Sequence, residues 1–454
     1  MTGHSLGGFL AQAFTIDFPT NVTHAYTFNS PGFGGLLTDI LDRLGIADTA
    51  VPSGLITNVL SQNGFSAAAG FGTLVGTVEN IFIEETLNPI TNHSIGTATD
   101  ALALYDLVSR VDPHVSISFI TGILNALSSV SANSLEFGLN AFSKALLGPA
   151  APTTAIGDRE SYYTNLTVLR DILPATSPYR VDSLVEVASS TVFSQAKAAT
   201  PDGLAYRYAL WELNPFVVQS VEYQALHNQD GSLDLYDATT GQGTWTLVAL
   251  SDRAELLAEK IAFNQRDGSP ASGTLFVDET TGFHNGRGAT ATQVVIFGDA
   301  EGREMLGRSG DDRIYGGGGN DVINGQEGLD YLEGNQGDDQ LEGGAKNDIL
   351  LGQQGDDQLC GEADNDRLNG GLGDDLLDGG DGLDTYFYRT GPGQDRIVDS
   401  DKIGAIVLDG QPLAGGIWRQ GTTADTWVSL DGQFTYVIVK QRDLINRRFR
   451  RKVA

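Results

Sequence analysis

Between Gly307 and Phe387 the chain repeats every nine residues without a gap. The units read GRSGDDRIY, GGGGNDVIN, GQEGLDYLE, GNQGDDQLE, GGAKNDILL, GQQGDDQLC, GEADNDRLN, GGLGDDLLD and GGDGLDTYF. Glycine opens each one, and aspartate holds the sixth place: Asp312, Asp321, Asp330, Asp339, Asp348, Asp357, Asp366, Asp375 and Asp384. The eighth place is apolar, from Ile314 through Leu350 to Tyr386. Unbroken self-similarity at so short a period restricts the fold to a solenoid, in which each unit buries its apolar residue only against its neighbours. A Gly/Asp-rich linker would have no reason to keep an apolar residue at every ninth place.

Glycines crowded into the first four places allow a turn with positive φ, and a short extended stretch follows. Two such units make one coil of about eighteen residues, so alternate units stack on the same side with their turns aligned. A sixth-place carboxylate, together with free backbone carbonyls of the stacked turns, forms a hard oxygen cage of the kind calcium prefers. These 81 residues carry 20 acidic and 4 basic side chains, a net charge of −16 out of −30 for the chain. Self-repulsion of that size opposes compaction, and bound cations relieve it. The spacing resembles the calcium-binding parallel β-roll of the repeats-in-toxin family. Lys346 and Asp364 depart from it, standing at the fourth place where the other units have glycine.

At 454 residues the chain is long enough for two to four domains with at least one sizeable core. Its acidity argues against a nucleic-acid partner. The single Cys360 excludes an intramolecular disulfide framework, and no apolar run reaches the length of a transmembrane helix. No H-E-x-x-H occurs, which removes the zinc protease of the same repeat family. The resemblance implies a secreted, extracellular bacterial protein exported without a cleaved leader by a one-step (type I) exporter that reads a C-terminal signal. The basic ending RRFRRKVA is unlike such signals.

The chain opens MTGHSLGGFLAQ, in which Gly3-His4-Ser5-Leu6-Gly7 fits G-x-S-x-G. That pattern is the sharp strand-to-helix turn that presents a serine at the top of an α/β-hydrolase sheet. Gly3 and Gly7 give room for the turn, Ser5 is the candidate nucleophile, and the Leu6 amide can donate to an oxyanion at a helix N-terminus. Leu6 to Phe18 reads as a helix ended near Pro19, and Thr23 to Phe28 as the next strand. The extended run GHSLGGFLAQ, with Asn29-Ser30-Pro31-Gly32-Phe33 after it, resembles the bacterial and class 3 lipases.

That resemblance implies a Ser–acid–His triad. His93, on a loop before the helical run Thr97–Val111, is the candidate base. Glu84 is the favoured acid, with Glu85 and Asn63 as alternatives. Only four residues precede Ser5, so the opening strands of such a domain are missing and the chain reads as N-terminally truncated, with impaired activity.

Two amphipathic helical stretches follow, Ala101–Arg110 and Val115–Leu147, the second broken around Ser128–Asn133. Ile117–Leu124 reads as a core helix in preference to an acyl-chain site or lid. The expected architecture is a multidomain chain: a partial α/β-hydrolase over 1–147, an α+β extension over 158–290, a parallel β-roll over 298–390 and a β-rich cap over 391–454. The functional expectation is a calcium-binding carboxylic-ester hydrolase acting on a lipid or other ester. Two alternatives stand: a calcium-dependent adhesin or surface-binding protein with an inactive hydrolase remnant, and a phospholipase or polyester hydrolase using the same triad.

Overall fold

The computed structural model describes residues 2–4, 11–12, 15, 22, 24–28, 53–61, 77–81, 95–128, 134–238, 240–266, 268–286, 290–389, 393–398 and 404–412, and four C-terminal strands between 416 and 451. They form two compact units, Met1–Gln229 with Lys260–Ser269, and Asp230–Glu259 with Pro270–Ala454. The stretch 158–290, expected as one extension, is thus divided between the two units.

The first unit begins with strands β1 (Thr2–His4), β2 (Ala25–Phe28), β3 (Ile56–Ser61) and β4 (Thr77–Ile81). They pair in that order, every pair parallel, with Thr2 opposite Tyr26 and Ala25 opposite Ile56. Val22, Ala25 and Ile56 close a small apolar core under this sheet. Helices α1 (Ile95–Val111), α2 (Ile117–Leu127) and α3 (Leu135–Leu147) follow. In α1 the buried side chains Ala101, Leu104, Tyr105, Val108 and Val111 recur every three or four residues, so one face is committed to the core.

The interruption expected near Ser128–Asn133 falls between α2 and α3. Ser116 caps α2 by accepting from the Phe119 amide at 3.1 Å, and Ser134 caps α3 by accepting from the Glu136 amide at 3.1 Å. Ile120, Ile123 and Leu124 are buried, and Thr121 donates to the Asn80 carbonyl of β4 at 2.9 Å, as a core helix requires. Helix α4 (Arg159–Ile172), strand β5 (Arg180–Ser183), helices α5 (Ser189–Ala196) and α6 (Pro201–Trp211), strand β6 (Phe216–Gln219) and helix α7 (Tyr223–His227) complete the unit, with β5 and β6 antiparallel.

Helix α8 (Leu247–Gln265) opens the part that leads into the repeats, and its residues up to Glu259 belong to the second unit. There follow β7 (Leu275–Asp278), β8 (Phe283–His284), β9 (Val294–Phe297) and β10 (Glu304–Leu306). The repeats supply β11 (Arg313–Gly318), β12 (Val322–Glu327), β13 (Tyr331–Gln336), β14 (Gln340–Ala345), β15 (Ile349–Gln354), β16 (Gln358–Ala363), β17 (Arg367–Leu372), β18 (Leu376–Asp378) and β19 (Thr385–Tyr388). Odd and even strands form separate parallel sheets, and each strand pairs with the one eighteen residues later, as Ile314 with Leu332 and Ile323 with Leu341.

The strand is longer than the sequence pattern suggests. It runs from the seventh place of one unit into the third place of the next, which confines the tight turn to places four to six. Between the sheets lies a single file of eighth-place side chains, Ile314, Ile323, Leu332, Leu341, Leu350, Leu359, Leu368 and Leu377, all essentially inaccessible. Each buried leucine contributes on the order of 2 kcal/mol by removal from water, and this file is the core of the roll.

After the repeats come β20 (Arg396–Val398), β21 (Ala405–Leu408), β22 (Gln411–Pro412), β23 (Gly416–Gln420), β24 (Ala424–Ser429), β25 (Phe434–Gln441) and β26 (Leu444–Arg451). Strand β26 pairs antiparallel with β20, the last parallel strand of the even sheet, and β25, β24 and β23 continue outward from it. On the other sheet, β22 folds back antiparallel on β21. Antiparallel strands therefore follow the last parallel strand at the C-terminal end of each sheet.

Candidate metal centre

Each sixth-place aspartate is buried at its turn, at 0–2 % exposure. One carboxylate oxygen has a fixed task, accepting from the backbone amide of the aspartate one coil earlier. The series runs Asp312 N to Asp330 Oδ1 at 2.7 Å, Asp330 N to Asp348 Oδ1 at 2.8 Å and Asp348 N to Asp366 Oδ1 at 2.8 Å on one edge of the roll. On the other edge it runs Asp321 N to Asp339 Oδ1 at 2.8 Å, Asp339 N to Asp357 Oδ1 at 2.9 Å and Asp357 N to Asp375 Oδ1 at 2.9 Å.

The second oxygen behaves differently. In Asp321, Asp330, Asp339, Asp348, Asp357 and Asp366, Oδ2 is buried with no hydrogen-bond partner. A buried polar atom without a partner costs free energy, and a row of them at a fixed repeat marks a place for a ligand that accepts oxygen donors.

The opening glycine makes that place. A Cβ on Gly316 would stand 2.5 Å from Asp321 Oδ2 and 2.5 Å from the Gly334 carbonyl one coil on. The requirement at the first place is therefore space, while the left-handed conformation is found at the second place in every unit but the first and at the fourth place in seven of the nine. Gln326, Asn335, Gln353 and Glu362 adopt it at the second, and Lys346 (φ 82°) and Asp364 (φ 76°) hold it at the fourth without being glycine.

Burial away from water pushes these carboxyls up from their ordinary 3.8: Asp321, Asp330 and Asp348 to about 7, and Asp357 and Asp366 to about 8. Neighbouring carboxylates add to the effect, Asp375 and Asp339 acting on Asp357. Near neutral pH the metal-free roll therefore holds protons where a divalent cation would otherwise sit.

No three acidic, histidine or cysteine side chains converge among the described residues. A cation here would take one carboxylate oxygen per unit, with the remaining oxygens from backbone carbonyls of the stacked turns. That donor set, oxygen only and partly main-chain, fits calcium and not a thiolate- or imidazole-seeking metal. The calcium itself would supply the charge that lets the carboxylates stay ionised in a buried row.

The fifth place was not singled out from the sequence, yet it is Asp or Asn in seven of nine units. Its side chains bond in the opposite sense: Asp338 N donates to Asn320 Oδ1 at 3.0 Å, and Asp356 N to Asp338 Oδ1 at 2.9 Å. The recurrence was visible; its role depends on which turn stacks on which.

Around the odd sheet, residues 230–259 add a second set of contacts. Glu333, fully buried, accepts from Thr246 Oγ1 and Tyr331 OH at 2.6 Å each and from Gln353 Nε2 at 2.9 Å. Asp252 of α8 accepts from Tyr315 OH and, at 2.7 Å, from Arg313 Nη1. Arg253 forms a two-pronged buried pair with Asp278, at 2.6 and 3.1 Å.

The candidate hydrolase residues Ser5, Leu6, Glu84 and His93, and the alternatives Glu85 and Asn63, lie outside the described residues. What is described nearby is β1, ending at His4, and helical backbone at Ala11, Gln12 and Thr15. Three of the other histidines have polar partners: His24 Nε2 lies 3.0 Å from Thr57 Oγ1, His114 Nδ1 3.0 Å from Asp112 Oδ1, and His227 Nε2 3.1 Å from the Ala145 carbonyl.

Fold and site together define a calcium-binding parallel β-roll. The family model for the RTX calcium-binding nonapeptide repeat matches residues 306–341, 333–368 and 361–395. Repeats of this family belong characteristically to proteins secreted to the cell exterior by a leaderless route. No curated protein matches the chain.

Proposed function

We propose that this chain is a secreted serine ester hydrolase of the lipase type, with the calcium-loaded roll as its folding and stabilising element. The observation that carries the enzyme reading is the sequence run GHSLGGFLAQ, whose Gly3 and His4 are the last two residues of β1 in an all-parallel sheet. A nucleophile elbow needs such a strand-to-turn entry, and Ser5 follows His4, the last residue of β1. In the proposed reaction Ser5 Oγ attacks the acyl carbon while His93 takes the hydroxyl proton. Glu84 orients His93, and the Leu6 amide donates to the oxyanion. His93 then returns the proton to the departing alcohol, and water releases the acyl group by the same route.

The substrate class is a lipid or another carboxylic ester, and a one-step exporter is the proposed secretion partner. A fluorophosphonate probe applied to the full chain in millimolar calcium should label the protein and fail to label Ser5→Ala. No labelling of a calcium-loaded, folded protein would remove the enzyme reading and leave a calcium-dependent surface-binding protein.

A further inference from the structure

In the first unit a cleft of about 430 Å³ lies at the C-terminal ends of α1 and α4 and the start of β5. Arg110 is in the last turn of α1, Arg170 in the last turn of α4, and Arg180 begins β5; all three line the cleft, together with His114. A basic residue at a helix C-terminus is an ordinary choice, because it offsets the partial negative charge there. Convergence of three guanidinium groups on one cleft is not ordinary in a chain whose net charge is −30. Among the described residues that line it, none is acidic.

Two carboxylates outside the lining pair with these cations. Asp106 Oδ2 accepts from Arg110 Nε at 2.9 Å and also from Arg170 Nη2, so one negative charge is shared by two guanidinium groups. Asp112 is buried and accepts from the backbone amides of His114 and Val181, each at 3.0 Å, while its Oδ1 is 3.6 Å from Arg180 Nη1. Three arginines therefore meet two aspartates, which leaves a positive charge over even with His114 neutral. Arg110 spends Nε, Arg170 Nη2 and Arg180 Nη1 on protein acceptors, so each planar fork keeps further N–H donors. The three side chains are 40–55 % exposed, within reach of a ligand arriving from solvent.

Guanidinium forks match the oxygens of phosphate and carboxylate groups, and several of them at one place favour an anion with more than one charge. The volume is in the range of small-molecule sites and exceeds what a bare phosphate fills, and Pro113, Leu173 and Pro174 supply an apolar wall for an organic body. We propose that this cleft binds the phosphate group of an organic phosphomonoester, held by Arg110, Arg170 and Arg180. The chemistry is the same whether the monoester is a soluble metabolite or the headgroup of a lipid. The site draws on no residue of the roll and on none of the candidate hydrolase residues.

Thr176, exposed in the loop between α4 and β5, lines the cleft and gives a variant that leaves every arginine in place. In calorimetric titration of the full chain in millimolar calcium, glycerol 3-phosphate should bind at one site per chain, more weakly as salt is raised. Thr176→Glu sets a carboxylate among the arginines and should weaken binding about tenfold or more, whereas the uncharged Thr176→Gln, of the same size, should bind as the wild type does. Arg170→Gln should also lose about tenfold or more. Unchanged melting temperatures show that these variants are folded. Cosedimentation with phosphatidylcholine vesicles, with and without phosphatidic acid, separates the two sources. If phosphatidic acid vesicles retain the wild type and release Thr176→Glu, a lipid headgroup is a ligand; if only glycerol 3-phosphate distinguishes them, the ligand is soluble. Binding of neither probe by the wild type, or wild-type affinity in folded Thr176→Glu or Arg170→Gln, overturns the inference.

Discussion

A glycine and an aspartate five residues apart define each step of the roll, and their contributions can be separated. Because a Cβ on Gly316 would collide with both Asp321 Oδ2 and the Gly334 carbonyl, Gly316→Ala should destabilise the calcium-bound roll by about 1–3 kcal/mol through overpacking, read as a lowered melting temperature. Asp357→Asn keeps the oxygen that accepts from Asp339 N and discards the buried charge. Melting in chelator should change little, while the stabilisation gained from calcium should fall by ~2.7 kcal/mol at a calcium concentration a hundred times Kd.

The carboxyls also fix the sign of the pH response. They titrate at their ordinary 3.8 in the open chain and near 7 or 8 in the metal-free roll, so between those values the folded form holds protons that the unfolded form has lost. Metal-free stability is therefore full below about pH 4 and declines as pH rises through 8. Calcium binding displaces the same protons, so calcium affinity should rise over that range. Melts at pH 5.5 and 8.5 should thus show opposite trends in chelator and in calcium. The sixth-place aspartate was legible because it never varies; the fifth place alternates Asp, Asn and Leu, and only stacking reveals that its oxygens link successive turns.

At the scale of elements, periodicity carried most of what could be read. Apolar spacing located α1, and the break near Ser128 separated α2 from α3, because both patterns reflect burial along a single element. The file of eighth-place residues was equally plain, and Leu350→Ala at its centre should cost about 3 kcal/mol, measured by denaturant unfolding in calcium. Contacts made by α8 were not legible. Asp252 meets Arg313 and Tyr315 some sixty residues later, and Arg253 meets Asp278 beyond a loop; nothing in the local sequence pairs them. Removing one partner of a buried pair leaves the other charge stranded, so Arg253→Ala should destabilise the roll unit by about 3–5 kcal/mol. An expressed segment beginning at Gly307 would lack Asp252, Arg253 and Asp278 and should melt below the segment beginning at Asp230 at equal calcium.

For the whole molecule, calcium is the dominant variable. With −16 concentrated in the repeats, far-UV circular dichroism in chelator should show reduced β-structure that millimolar calcium restores, and an unchanged spectrum would contradict the proposed role of the metal in folding. Length led to an expectation of two to four domains, and the chain forms two compact units; the assignment of 230–259 to the roll was not foreseen, since it depends on packing against strands far along the chain.

Glu333 shows what that packing accomplishes. A solenoid of near-identical coils is open to misalignment, because sliding the chain by eighteen residues returns glycine to glycine and aspartate to aspartate. The slide would set Tyr315 or Leu351 opposite Thr246 in place of Glu333, stranding the hydroxyl that now donates to the carboxylate. The polar cluster around Glu333 thus acts as an index mark, giving a repetitive scaffold a single place from which its coils are counted.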